Sequence, residues 1–215
     1  MSPYSLMAES KRVQLATIDT IIFDLGKVLV DFSYTEFFPR LRRAGALIAD
    51  AEDFAAQVGL VEYEEGRIDS RKFFQRVNAL LDQPFEPGVL EAAWCQIFTP
   101  IPQMLNLARQ LRGQVKTAIL SNTSEIHWRY LRERFQLDQF CDSCLASFEL
   151  GAMKPGAEIY RLAAEQLDVR PEGLVFIDDR PANVEGARAC GWRAIQHQSY
   201  GQTCEELIQL GIPCP

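Results

Sequence analysis

Asp24, Ser121, Lys154 and the pair Asp178-Asp179 are the residues of this chain whose types and placement could do chemistry together. Three of these positions directly follow runs that read as buried strands: Ile21 to Phe23, Val115 to Leu120, and Leu174 to Ile177. Lys154 lies beyond a short strand near Cys144 to Ser147. In an open parallel sheet the carboxyl ends of the strands gather at one edge, and ligands bind in the crevice there. A carboxylate at that edge can attack an electrophile, act as a base or hold a metal. Joined by a hydroxyl, an amine and a carboxylate pair, it suits phosphoryl transfer. Asp24 would attack phosphorus in line and become an aspartyl phosphate. Ser121 and Lys154 would hold the equatorial oxygens, whose negative charge is the main obstacle. Magnesium is the expected cofactor, held by the Asp24 carboxylate, the Gly26 carbonyl and Asp178, with or without Asp179. Hard oxygen ligands plus waters are what Mg²⁺ prefers.

The elements that must position these groups follow from the hydrophobic pattern. Ile21-Ile22-Phe23 is apolar without alternation, as in a strand buried on both faces of a parallel sheet. From Pro102 onward strands and helices alternate, ending with a strand at Trp192 to Ile195 and a helix at Glu205 to Leu210. That alternation means a parallel sheet with right-handed crossovers. A single strand–helix–strand step needs only about 30 residues, yet 91 separate Asp24 from Val115. The surplus reads as helices. Phe37, Phe38 and Leu41, then Phe54, Val58 and Val61, then Phe73, Phe74, Val77 and Leu81 all recur at helical spacing. Ser70 is the expected N-cap of the third group, and Ser124 that of a helix from Glu125 to Arg134. The expected fold is therefore α/β, a Rossmann-like parallel sheet flanked by helices with an inserted all-helical cap. The boundaries read as an N-terminal extension over 1–19, a core of 20–31 and 101–215, and a cap over 32–100. A cap rooted just after the Asp24 turn can cover it as a lid.

A formal net charge of −7 over 215 residues argues against nucleic acid or an anionic membrane as partner. The expected partner is a small phosphorylated molecule, and the expected state a monomer or weak homodimer. No apolar run approaches the roughly 20 residues that span a bilayer. The polar segment from Met1 to Ala16 lacks the apolar core of a secretory signal. Of six cysteines, Cys141 and Cys144 form a lone Cys-x-x-Cys; with two histidines in the chain, a structural zinc site would be incomplete. Ordinary reduced thiols, and hence a cytoplasmic protein, are expected. His127 and Trp94, Trp128 and Trp192 read as packing residues.

Four stretches together resemble a known family: Phe23-Asp24-Leu25-Gly26-Lys27-Val28-Leu29-Val30-Asp31, Leu120-Ser121-Asn122, Lys154-Pro155, and Phe176-Ile177-Asp178-Asp179. In order and spacing they are similar to the four motifs of the haloacid dehalogenase-like hydrolases, and Asn183-Val184-Glu185-Gly186-Ala187 also fits. The resemblance implies a Rossmann-like core, Mg²⁺ dependence and, most often, phosphatase activity on small metabolites. It also implies that Ser121, Asn122 and Lys154 bind substrate, and that Asp178 is the direct metal ligand. One departure stands out. Family phosphatases usually carry a second Asp two residues after the nucleophile, as general acid and base; here that position is Gly26. Glycine there can also serve a backbone angle that Asp tolerates less well. The chain resembles a bacterial branch with Asp-Leu-Gly-x-Val, some of whose members act on sugar phosphates such as glucose 1-phosphate. Asp179, Lys27 or a cap residue could replace the missing group. Two other functions compete: a dehalogenase-type C–X hydrolase that needs no metal, and a non-catalytic binding or regulatory protein on the same fold.

Overall fold

The structure, a computed structural model, describes residues 17–214. Most of the expected N-terminal extension, residues 1–16, lies outside the described residues. The core is a five-stranded sheet of β1 (Thr20–Phe23), β4 (Lys116–Ser121), β5 (Ser143–Ala146), β6 (Leu174–Asp178) and β7 (Arg193–Gln196). Its spatial order is β5-β4-β1-β6-β7, and all four pairings are parallel. The chain builds outward from β1 through β4 to β5, then returns to β6 on the other side of β1. The strand order thus reverses beside β1, the place where open α/β sheets bind ligands.

Helices cover both faces. Ile21 and Phe23 point to one face, where they pack with Met104, Leu107 and Leu111 of α6 (Pro102–Arg112) and Trp128 and Leu131 of α7 (Glu125–Phe135). Ile22 points to the other, against Ile159, Tyr160 and Ala163 of α9 (Ala157–Leu167) and Val184 and Ala187 of α10 (Pro181–Ala189). A strand sandwiched this way must be apolar on both faces, which is why β1 shows no alternation. No helix of the described residues is long and apolar enough to cross a membrane.

The insertion carries α1 (Phe37–Arg43), α2 (Ala51–Val58), α3 (Leu60–Glu64), α4 (Ser70–Asn78) and α5 (Pro87–Cys95) around its own aromatic core. Phe37, Phe54, Phe73 and Trp94 meet there with ring centroids 5.1–5.8 Å apart. The expectation of an all-helical insert needs correcting at its neck. β2 (Val30–Phe32) and β3 (Phe98–Pro100) pair antiparallel where the chain leaves and re-enters the core. Asp69, not Ser70, caps α4: its side chain accepts from Lys72 N. Val61 is exposed, because Gly59 at φ 69° ends α2 and turns the chain into a separate α3. Ser124 holds the N-cap position of α7 but makes no capping hydrogen bond.

The cysteines also depart from expectation. Cys204 and Cys214 form a disulfide, because Gly211 at φ 82° folds the tail back on α11 (Tyr200–Gln209). Cys95, Cys141, Cys144 and Cys190 are free. The reduced-thiol argument for a cytoplasmic protein therefore does not stand.

Cap and core meet closely at Gly66. Its φ is 70°, and a Cβ there would run into the Phe148 carbonyl oxygen of the core. Alanine at a positive φ is strained, and here the obstacle is backbone that cannot swing away. Gly66→Ala should lower Tm by several degrees in thermal denaturation; an unchanged Tm would show that the cap does not press on the core at this point.

Candidate active site

The sheet register decides what meets at the carboxyl edge. Phe23 lies opposite Ile119 on one side and Ile177 on the other, so Asp24 stands level with Leu120 and Asp178. Asp24 N–H extends the ladder, donating to the Ile177 carbonyl at 2.8 Å. The Asp24 side chain is buried, and its Oδ1 accepts from Leu25 N–H and from Lys154 Nζ, each at 2.7 Å.

Lys154 is buried as well, and its three ammonium protons are all used. Besides Asp24, Nζ donates to Asp178 Oδ2 at 2.8 Å and to the Leu120 carbonyl at 2.9 Å. Burial alone would press the lysine pKa down, but the two carboxylates outweigh it and hold the ammonium charged. Its backbone is clamped by Asn122, whose Nδ2 donates to the Lys154 carbonyl at 2.8 Å and whose Oδ1 accepts from Lys154 N–H at 2.9 Å. The Asn122 side chain thus positions Lys154. Ser121 ends β4, buried, and its hydroxyl makes only a marginal 3.5 Å approach to the Asn122 carbonyl.

Asp178 is fully buried at the end of β6. Its Oδ1 accepts from Arg180 N–H at 2.8 Å, and Asn183 Nδ2 reaches both oxygens at 3.0 Å. Asp24, Asp178 and Asp179 each offer an oxygen, all within 4.8 Å of one another. With three carboxylates against one ammonium, the cluster carries excess negative charge. Burial pushes the Asp24 pKa up to about 7, and Asp178 adds to the rise while Lys154 opposes it. Asp179 is also raised, by burial first and then by Asp178. The donor set, carboxylates concentrated in a buried pocket, fits a hard divalent cation such as Mg²⁺.

Gly26 and Lys27 follow in the turn after Asp24. Lys27, not Gly26, takes the left-handed backbone, at φ 62°. Position 26 is crowded for a different reason: a Cβ there would sit 3.1 Å from the Phe32 ring, which would have to give by a few tenths of an ångström. Lys27 turns away, its ammonium paired with Asp31 and donating to the Phe32 carbonyl at 3.0 Å. It is therefore no proton donor for the site.

A cavity of about 80 Å³ opens beside this turn, between core and cap. Gly26, Phe32, Tyr34, Glu64, Ser121 and His127 are among its walls. His127 stacks on Trp94 with centroids 4.5 Å apart, and its Nε2 lies 2.9 Å from the Trp94 carbonyl. Burial pushes its pKa down to about 4, so it is a neutral packing residue. Burial pushes Glu64 the other way, up to about 7, with Arg180 opposing.

A family model described as haloacid dehalogenase-like hydrolase matches residues 18–191. The chain belongs to this family. It is 26% identical to the D-ribitol-5-phosphate phosphatase of Bacteroides thetaiotaomicron, over 90% of this chain and 98% of that protein. Among solved structures, a HAD-like family hydrolase from Porphyromonas gingivalis superposes with a TM-score of 0.75 at 25% identity, covering 90% of this chain and 99% of that one. A HAD family enzyme from B. thetaiotaomicron, in complex with magnesium and inorganic phosphate, gives a TM-score of 0.76 at 23% identity, covering 84% of this chain and 94% of that one.

The hydrolase fold thus gathers Asp24, Ser121, Lys154, Asp178 and Asp179 at one edge. Sequence reading did not single out Glu64, which lines the cavity beside Gly26. It also missed the part played by Asn183, although its surrounding run had been noted.

The raised Asp24 pKa has a consequence for stability without metal. Its contribution is fully present below about pH 4, its ordinary range, and is lost as pH rises through about 7. In chelator, Tm should fall between pH 5 and 7.5, and Asp24→Asn should make that fall shallower. Identical pH dependence in both proteins would refute the assignment of a buried carboxylate with a raised pKa.

Proposed function

We propose that this hydrolase is a Mg²⁺-dependent phosphatase acting on a small phosphorylated metabolite, of which sugar phosphates are the favoured class. The observation that carries the reading is Asp24 held by Lys154 beside Asp178 and Asp179. Asp24 is the nucleophile: its carboxylate oxygen forms a bond to phosphorus as the bond to the leaving alcohol breaks. Lys154 and Ser121 bind the phosphoryl oxygens and stabilise the charge that spreads over them. Asp24, Asp178, Asp179 and the Gly26 carbonyl are the residues that would hold Mg²⁺. When bound, the ion neutralises negative charge that would otherwise repel a phosphate. Water then attacks the aspartyl phosphate and frees inorganic phosphate. The small cavity suits a compact leaving group, and the 26% identical relative is named for a phosphorylated polyol.

A C–X hydrolase reading is less favoured. Attack of Asp24 on carbon needs no cation, and the convergence of three carboxylates would then only repel an anionic substrate.

A panel of phosphorylated metabolites assayed with Mg²⁺ and with chelator tests the proposal. Phosphate release should depend on the metal, and Asp24→Asn should abolish it while the protein stays folded. A variant that keeps more than a small fraction of activity would remove Asp24 from the role. Asp178→Ala should raise the Mg²⁺ requirement more than Asp179→Ala, since Asp178 is the more deeply buried of the two. Metal titrations in the reverse order would make Asp179 the principal ligand.

A further inference from the structure

The described structure has no acid at position 26, yet an alkoxide is too basic to leave phosphorus unprotonated. Within the cavity beside Gly26, the titratable side chains are Tyr34, Glu64 and His127. A general acid works best with a pKa near the operating pH. His127 is held neutral, its Nε2 on the Trp94 carbonyl. Tyr34 is pushed upward by burial, and by Glu64 itself, away from neutral pH. That leaves Glu64.

Glu64 is placed for the task by more than proximity. It is the last residue of α3, and it lines the same cavity as Gly26 and Ser121. Its backbone is tied directly to the core: Ser147 Oγ donates to the Glu64 carbonyl at 2.6 Å and accepts from Thr123 N–H at 2.9 Å. Thr123 lies two residues beyond Ser121, so the same strand end that presents Ser121 also fixes Glu64. Two positions further on, Gly66 packs against the Phe148 backbone. Arg180, next to the Asp178-Asp179 pair, is the cation whose charge reaches Glu64.

We propose that Glu64 is the general acid and base of this enzyme, supplied from the cap in place of the family's second aspartate. The inference rests on the phosphatase reading above. As Asp24 bonds to phosphorus and the ester P–O bond breaks, the Glu64 carboxyl gives its proton to the departing oxygen, releasing an alcohol. The resulting carboxylate then takes a proton from water as that water bonds to phosphorus and the Asp24–phosphorus link breaks. Glu64 ends protonated, Asp24 free, and inorganic phosphate leaves.

The test compares Glu64→Gln, which preserves shape, with wild type on two esters in the presence of Mg²⁺. One is 4-nitrophenyl phosphate, whose leaving group departs without a proton; the other is glycerol 3-phosphate, whose leaving group cannot. On glycerol 3-phosphate the variant should lose about 10²–10⁴-fold in kcat/KM, the usual effect of a general acid. On 4-nitrophenyl phosphate it should release one equivalent of nitrophenolate in a burst, then turn over slowly as aspartyl phosphate accumulates. Glu64→Asp should recover part of the loss. Equal losses on both esters without a burst, or no loss at all, would overturn the role of Glu64 while leaving the phosphatase reading intact. A folded wild type that releases phosphate from neither of these esters nor the metabolite panel would overturn both.

Discussion

A single buried ammonium sets the terms for this molecule. Removing Lys154 from water costs several kcal/mol, and only close carboxylates with good geometry offset that. Here they are Asp24 and Asp178, at 2.7 and 2.8 Å, with the Leu120 carbonyl taking the third proton at 2.9 Å. Those three acceptors stand at the ends of β1, β6 and β4. A slip of one residue in either central pairing would remove a partner and leave an uncompensated charge inside the protein. Register, then, is tied to the site: the pairing that satisfies the lysine also places Asp24 beside Asp178 and Asp179. The same hydrogen bonds keep Lys154 from swinging, so its charge is oriented before a phosphate arrives.

The sheet was readable in the sequence because a strand buried on both faces has a composition that few other segments share. Ile21 to Phe23 and Leu174 to Ile177 are apolar throughout, and the polar residue that ends each run marks the functional edge. The neck of the insertion was not readable. β2 and β3 have three residues each, too few to show a period, and their pairing joins residues almost 70 positions apart. Asp69 and Ser70 are both good caps, so composition could not rank them; the backbone at Asp69 is extended, and that decides it. The Cys204–Cys214 bond depends on a left-handed Gly211, a local conformation that cysteine spacing does not report.

The site was legible to the extent that it sits on strand ends. Asn122 lies outside that logic, since its work is to hold a lysine 32 residues away. Gly26 is a second case. From sequence its smallness suggests a special backbone angle; in the fold it makes room for the Phe32 ring, while Lys27 adopts the unusual angle. Restoring an aspartate at 26 therefore asks the Phe32 ring to give by a few tenths of an ångström and adds a charge beside Asp24. Glu64 was invisible for a related reason. A glutamate before Glu-Gly-Arg looks solvated until the cap folds down and half-buries it.

Placing an acid on the cap instead of two residues after the nucleophile changes what the fold must keep rigid. An aspartate at 26 would be carried by the same turn as Asp24 and fixed with it. Glu64 arrives from a separate unit, joined to the core by the ribbon of β2 and β3 and packed along α7. Exposed contacts such as Arg129–Glu91 hold the two together only weakly. The stronger seats are buried or half-buried: Ile126 inserted among the cap aromatics, His127 stacked on Trp94, and the Ser147 hydroxyl on the Glu64 carbonyl. The last of these acts on the residue itself: Ser147 ties the Glu64 backbone to Thr123, just beyond the end of β4. The backbone from which the Glu64 side chain projects is thereby joined to the strand ends of the core, although its helix belongs to the cap.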